Sequence, residues 1–222
     1  MPKRTDTTSP QGSPLAVAVM FIGNGLVMAS SLSRMPGIRD QVGATPTSLA
    51  FALVCVGIGS IVSMPFTGRL VDRYSSMVIS RVSTAICLGA WALVPLASSV
   101  PALALIMFTA GLGTGVGDVA MNIQGNLVEQ RGQKVLMPYW HGLFSLGAVA
   151  GAMAGALAAS LGLTLAGQLP IVSAVLMAAM WWATAFYIPD VGLHSGANEE
   201  HLKEPIFDEP QVLASECQAV AT

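Results

Sequence analysis

The chain has 222 residues, of which 53% are apolar and only 10% are Asp, Glu, Lys or Arg, where soluble domains average about 25% charged. With 23 glycines, a formal net charge of −2 and a mean hydropathy of +0.65, the composition excludes an ordinary soluble enzyme and a protein that binds nucleic acid through a basic face. Its apolar runs are too long and too many for one globular core. At about 20 residues per crossing, six spans take up roughly 120 residues, so the sequence predicts an all-α polytopic membrane protein with six transmembrane helices.

Residues 1–13 are polar, carry Lys3 and Arg4, and are expected to form a disordered tail. The first span is predicted from Pro14 to about Ser33. It exceeds the roughly 7 to 15 apolar residues of a signal peptide and is followed by further spans, so it is read as an uncleaved helix. Within it Asn24 stands between Gly23 and Gly25, and Arg34 follows at its outer end. An amide in mid-bilayer suits either a substrate hydroxyl or a neighbouring helix. Arg34 is a candidate for gating or for recognising an anion, or else an interfacial cation.

The second span is predicted at about Thr47 to Thr67, followed by a tight cytoplasmic turn, GRLVDRYSS, from Gly68 to Ser76. Gly68, Arg69, Asp72 and Arg73 in that turn form a candidate conformational latch that ion-pairs with a neighbouring helix end. The third span is predicted at Met77 to Ala97 and the fourth at Pro101 to Val128. In the fourth, Gly111, Thr114, Asp118, Asn122 and Gly125 fall within an arc of about 80°, predicting one polar, glycine-lined face. A carboxylate at membrane depth is costly against lipid, so Asp118 is expected to face the bundle interior or a watery cavity. There it could carry a proton or hydrogen-bond a neighbouring helix.

The fifth span is predicted at Pro138 to Gly162, opening with Tyr139, Trp140 and His141, with Ser145 one turn on. His141 is a candidate proton shuttle or an interfacial histidine. Gly147, Gly151 and Gly155 recur every four residues on one stripe, as expected of a helix-packing surface. The sixth span is predicted at Gln168 to Ile188, with Trp181 and Trp182 deep enough to stack on a sugar or to pack against helices, and Trp140 and Tyr187 in an interfacial belt. Short, uncharged outer connections predict tight antiparallel hairpins for spans three–four and five–six. Pro65, Pro95 and Pro170 are placed near helix ends.

From Pro189 to Thr222 the chain holds seven acids and one Lys, as an acidic cytoplasmic tail would. With both termini cytoplasmic, the inside segments carry Lys3, Arg4, Arg69, Arg73, Arg81, Arg131, Lys134 and Lys203, and the outside only Arg34 and Arg39, in accord with the positive-inside rule. Cys55, Cys87 and Cys217 are too dispersed for a disulfide framework or a zinc site, and no metal or organic cofactor is implied. A six-helix intramembrane serine protease is disfavoured because no Gly-x-Ser-Gly tetrapeptide occurs, and a water channel because paired Asn-Pro-Ala motifs are missing.

The Gly68-to-Ser76 segment resembles the signature between the second and third helices of major facilitator superfamily transporters, with Ser75 where that signature has Gly and with Ser76 and Met77 where it is basic. The run of glycines leading to Asp118 and Asn122 resembles the acid–three-residue–Asn motif of fucose-permease-like sugar:proton symporters. The resemblance implies that Asp118 is the proton-coupling acid, although that family uses Glu there and a second acid in its first helix, where this chain has Asn24. It covers Pro14 to about Asp190, which implies one six-helix half, a 3+3 inverted repeat, of a twelve-helix fold in the inner membrane. The expected function is proton-coupled transport of a small polar, sugar-like solute. The alternatives are a drug or metabolite efflux antiporter, whose fifth-helix signature ends in Gly-Pro where this chain has Gly155 and Ala156, and a non-transporting receptor or assembly subunit. A lone half would leave an apolar interface and Asp118 facing lipid, so the expectation is a truncated or fragmentary product. A split transporter completed by a second half, and a homodimer, are the other arrangements.

Overall fold

The computed structural model describes residues 13–191. Lys3, Arg4, Lys203, Cys217 and nearly all of both predicted tails lie outside the described residues. Seven α-helices follow in order: α1 (Pro14–Leu32), α2 (Met35–Val42), α3 (Pro46–Tyr74), α4 (Ser76–Leu93), α5 (Val100–Gly132), α6 (Met137–Ser160) and α7 (Leu165–Thr184). All but α2 are long and apolar enough to cross a membrane, so α1, α3, α4, α5, α6 and α7 are spans one to six. Their ends follow from local chemistry. Thr45, Ser75, Ser99 and Thr164 accept from backbone amides in the first turns of α3, α4, α5 and α7, relieving donors with no helical partner. The Glu129 carboxylate does the same for α6, accepting from the amides of Leu136 and Met137.

Packing is organised as two close helix pairs. Span one lies along span five and span two along span four, and exchanging spans one to three with four to six converts either pair into the other. Glycine makes both possible. A methyl placed on Gly25 would overlap the Phe144 carbonyl of span five, and methyls on Gly147 and Gly151 would overlap the Ile22 and Leu26 carbonyls of span one. In the second pair, Gly59 meets the Phe108 carbonyl while Gly111 and Gly115 meet those of Val56 and Ser60. Between lipid-solvated helices there is no hydrophobic drive to associate, and such backbone-to-backbone contact supplies the dispersion energy instead.

The helix layout departs from the sequence expectations in several respects. Spans five and six, predicted as a hairpin, hardly touch, because the glycine stripe of α6 commits it to α1 while α7 seats against α4 and α1. The short helix α2 between spans one and two was not foreseen; Gln41 ties it to the carbonyls of Val94 and Ala97 at the end of span three. Pro65 lies inside α3, not near its end, whereas Pro170 falls close to the start of α7, as expected. The predicted turn from Gly68 to Ser76 is helical through Tyr74, and the reversal is made by Ser75 alone, at φ 77° and ψ 150°. That conformation is populated almost only by glycine, which accounts physically for a glycine at this point of the resembled signature.

Two outcomes follow. Ser75→Gly relieves the backbone at the cost of a weak cap, so thermal melts in detergent should show stabilisation of about 1 kcal/mol. Gly151→Val should separate spans one and five and cost roughly 1–3 kcal/mol, whereas Gly142→Ala, whose methyl meets no neighbour, should cost nothing in the same melts.

Candidate functional site

Span four is 33 residues long and touches different neighbours at different depths, so its predicted single polar face is divided. Gly111 meets span two, Thr114 lies 3.4 Å from the Cys87 thiol of span three, and Gly125 sits under Met137 and Trp140 of span five. Asp118 turns to span one, where the Asn24 side-chain amide donates to its carboxylate at 2.6 Å. The Asn122 amide donates at 2.7 Å to the backbone carbonyl of Asp118, so one of its two N–H donors is spent on its own helix. Asp118, Asn24 and Asn122 are all half-buried.

His141 stands near this pair. Its ring meets Phe21 of span one edge-on at 5.1 Å between centroids, and it lies within electrostatic reach of the Asp118 carboxylate. Phe21 is fully buried and stacks on Trp140 at 6.2 Å. Trp140 and Tyr187 are therefore interior residues, not members of an interfacial belt. Trp181 and Trp182 occupy the last turn of α7 and face outward, Trp181 donating to the Arg81 carbonyl.

The other sequence candidates are not brought to this point. Arg34 lies ten residues along from Asn24, about 15 Å at 1.5 Å per residue. It is buried, and one guanidinium nitrogen donates to the Leu163 carbonyl at 2.6 Å, so it braces span one against the connection between spans five and six. Gly68, Arg69 and Arg73 are exposed along the end of α3, and Arg73 lies over the Tyr74 ring. Asp72 is half-buried, with one carboxylate oxygen enclosed and without a hydrogen-bond partner.

A second polar centre was not anticipated. Gln124, fully buried, donates to Ser76 Oγ at 2.6 Å and to the Ile188 carbonyl at 2.7 Å, and accepts from the Ile188 amide at 3.0 Å. Asp190 is also fully buried and accepts from the Ser76 amide at 3.0 Å, at the start of span three. Spans three and four are thus tied to the segment leaving span six. Gln124 carried a readable signal, since an amide in a run of small and apolar residues demands a partner. Asp190 did not, because it reads as the first of several tail acids.

Six membrane-length helices packed around a half-buried carboxylate define a polytopic α-helical membrane protein. The Major Facilitator Superfamily model matches residues 15–214, and the chain belongs to that family. It is 30% identical over 197 residues to an uncharacterized MFS-type transporter of Yersinia pestis, covering 89% of this chain and 50% of that protein. An uncharacterized transporter of Sinorhizobium fredii is 32% identical over 61% of this chain and 36% of its own length. Membrane protein MosC of Rhizobium meliloti is 26% identical over 75% of this chain and 40% of its own. The chain spans half or less of the curated relatives it matches.

Replacing Gln124 by Leu would strand the groups at Ser76 and Ile188. Thermal melts should show a loss of about 2 kcal/mol, and the Ile188 amide should exchange its hydrogen faster.

Proposed function

We propose that this chain forms one half of a secondary active transporter that moves a small polar organic solute, sugar-like in its hydroxyl chemistry, coupled to protons. Asp118 carries the proton. The single observation behind this reading is the 2.6 Å hydrogen bond from Asn24 to the Asp118 carboxylate. A charged acceptor of this kind binds an amide more strongly than a neutral one does. While Asp118 is ionised it occupies the Asn24 amide; protonation weakens that hold and frees the amide for a substrate hydroxyl. Proton and solute then favour the same state, which is the thermodynamic content of symport.

Asn122 and His141 line the same region as lesser polar groups, and Arg34 acts as a brace at the outer end. Gly68, Arg69, Asp72 and Arg73 form the cytoplasmic latch, with the unpartnered Asp72 oxygen as the group that pairs when the latch closes. Two six-helix halves rocking about a central site supply alternating access, so a second half, from this or another polypeptide, completes the solute path. The protein sits in the inner membrane with both termini cytoplasmic, in keeping with the Lys and Arg distribution.

The test is uptake by membrane vesicles from expressing cells, with radiolabelled hexoses and polyols as probes and an imposed proton gradient. Asp118→Asn should abolish accumulation against a gradient while leaving equilibrative exchange. Asn24→Ala should raise KM with a smaller effect on coupling. Accumulation unchanged by Asp118→Asn contradicts the reading.

A further inference from the structure

Behind Asn24, on the side where spans one, three, four and six meet, lies a small cavity of about 20 Å³. Its polar wall is formed by Asn24, Ser83, Thr84, Cys87 and Thr114. Their hydrogen bonds give that wall a definite polarity. Ser83 Oγ donates to the Ser80 carbonyl at 3.0 Å and Thr114 Oγ1 to the Ala110 carbonyl at 3.0 Å. The Asn24 amide nitrogen is given to Asp118 and, more weakly, to the Met121 sulfur. What Ser83, Thr114 and Asn24 have left for the cavity is oxygen lone pairs.

A space lined mainly by acceptor oxygens suits a donor or a cation. A neutral water could donate two hydrogen bonds there and accept one from the Thr84 hydroxyl, so hydrogen bonding admits either occupant and the charge nearby decides between them. The local charge favours a cation. The Asp118 carboxylate lies close enough to act electrostatically on Cys87 in the cavity wall, and a buried carboxylate is stabilised by a paired positive charge. Hydroxyl and amide oxygens are hard ligands of the kind that alkali and alkaline-earth cations take. One nearby carboxylate balances a single charge, and the volume admits one small ion.

We infer that the cavity among Asn24, Ser83, Thr84 and Thr114 is a binding site for a single sodium ion, with Asp118 as its counter-charge. Bound there, sodium holds span three to spans one and four while leaving the opposite side of Asn24 and Asp118 open to solute. The inference draws on the transport reading only for the ionised state of Asp118, and it is testable without transport.

The full-length protein is purified in detergent and its melting temperature followed as choline chloride is replaced by sodium chloride at constant ionic strength and pH. A saturable rise of several degrees is expected, with a much smaller response to potassium. Ser83→Ala and Thr114→Val, each removing one oxygen ligand, should weaken the apparent sodium affinity at least tenfold, while Ser160→Ala, on the exposed end of α6, should keep it. Equal curves in sodium and choline overturn the site. A sodium response kept by both Ser83→Ala and Thr114→Val overturns it as well, because the ion would then bind elsewhere. Neither result bears on whether Asp118→Asn uncouples uptake.

Discussion

The structure depends on how closely helices can approach one another through their backbones. In lipid the apolar faces of helices gain little by meeting each other rather than acyl chains. Association therefore falls to surfaces where side chains are small enough for main chains to touch. Span one meets span five at Gly25, Gly147 and Gly151, and span two meets span four at Gly59, Gly111 and Gly115. These contacts are reciprocal, glycine of one helix against carbonyl of the other, so each pair is set in rotation as well as in distance. Everything polar inside the bundle is aimed by that setting.

Asp118 illustrates the consequence. On span four, glycines at 111 and 115 face span two, while Gly113 and Gly117 face Ser83 and Cys87 of span three. Seated against both neighbours, the helix has little freedom to rotate, and its carboxylate is left directed at Asn24 of span one. Span one is held in turn by span five, which also delivers His141 and the Phe21–Trp140 stack. The hydrogen bond between Asn24 and Asp118 thus joins the two close pairs. Any change in its strength would be felt between them, which is why the proposed coupling role falls to Asp118.

At the other end of span four, Gln124 and Asp190 serve a structural purpose with the same economy. A buried amide and a buried carboxylate satisfy the start of span three and the chain leaving span six. Each group would be costly unpaired, and together they leave few alternative arrangements for that end of the bundle. Gly68, Arg69, Asp72 and Arg73 on α3 lie beside this centre in sequence; Gly68, Arg69 and Arg73 are exposed and Asp72 alone is half-buried.

The membrane-spanning character, the number of spans, their approximate limits and the stripe at Gly147, Gly151 and Gly155 were all legible in the sequence, because each depends on local hydrophobicity and helical period. Asp118 and Asn24 could be singled out for the same reason: a polar group in an apolar run is conspicuous without any knowledge of its neighbours. Which helices would be neighbours was not legible. Short connections bring helix ends together but do not make the helices pack, so spans five and six separate although the loop suggested a hairpin. The arc on span four was computed correctly as an arc and still did not form one face, since a long helix crossing several partners presents each turn to a different one. The meeting of Asn24 with Asp118, the oxygen-lined cavity behind them and the hold of Asp190 on span three are non-local. They exist only once glycine contacts distant in sequence have fixed the helices against each other.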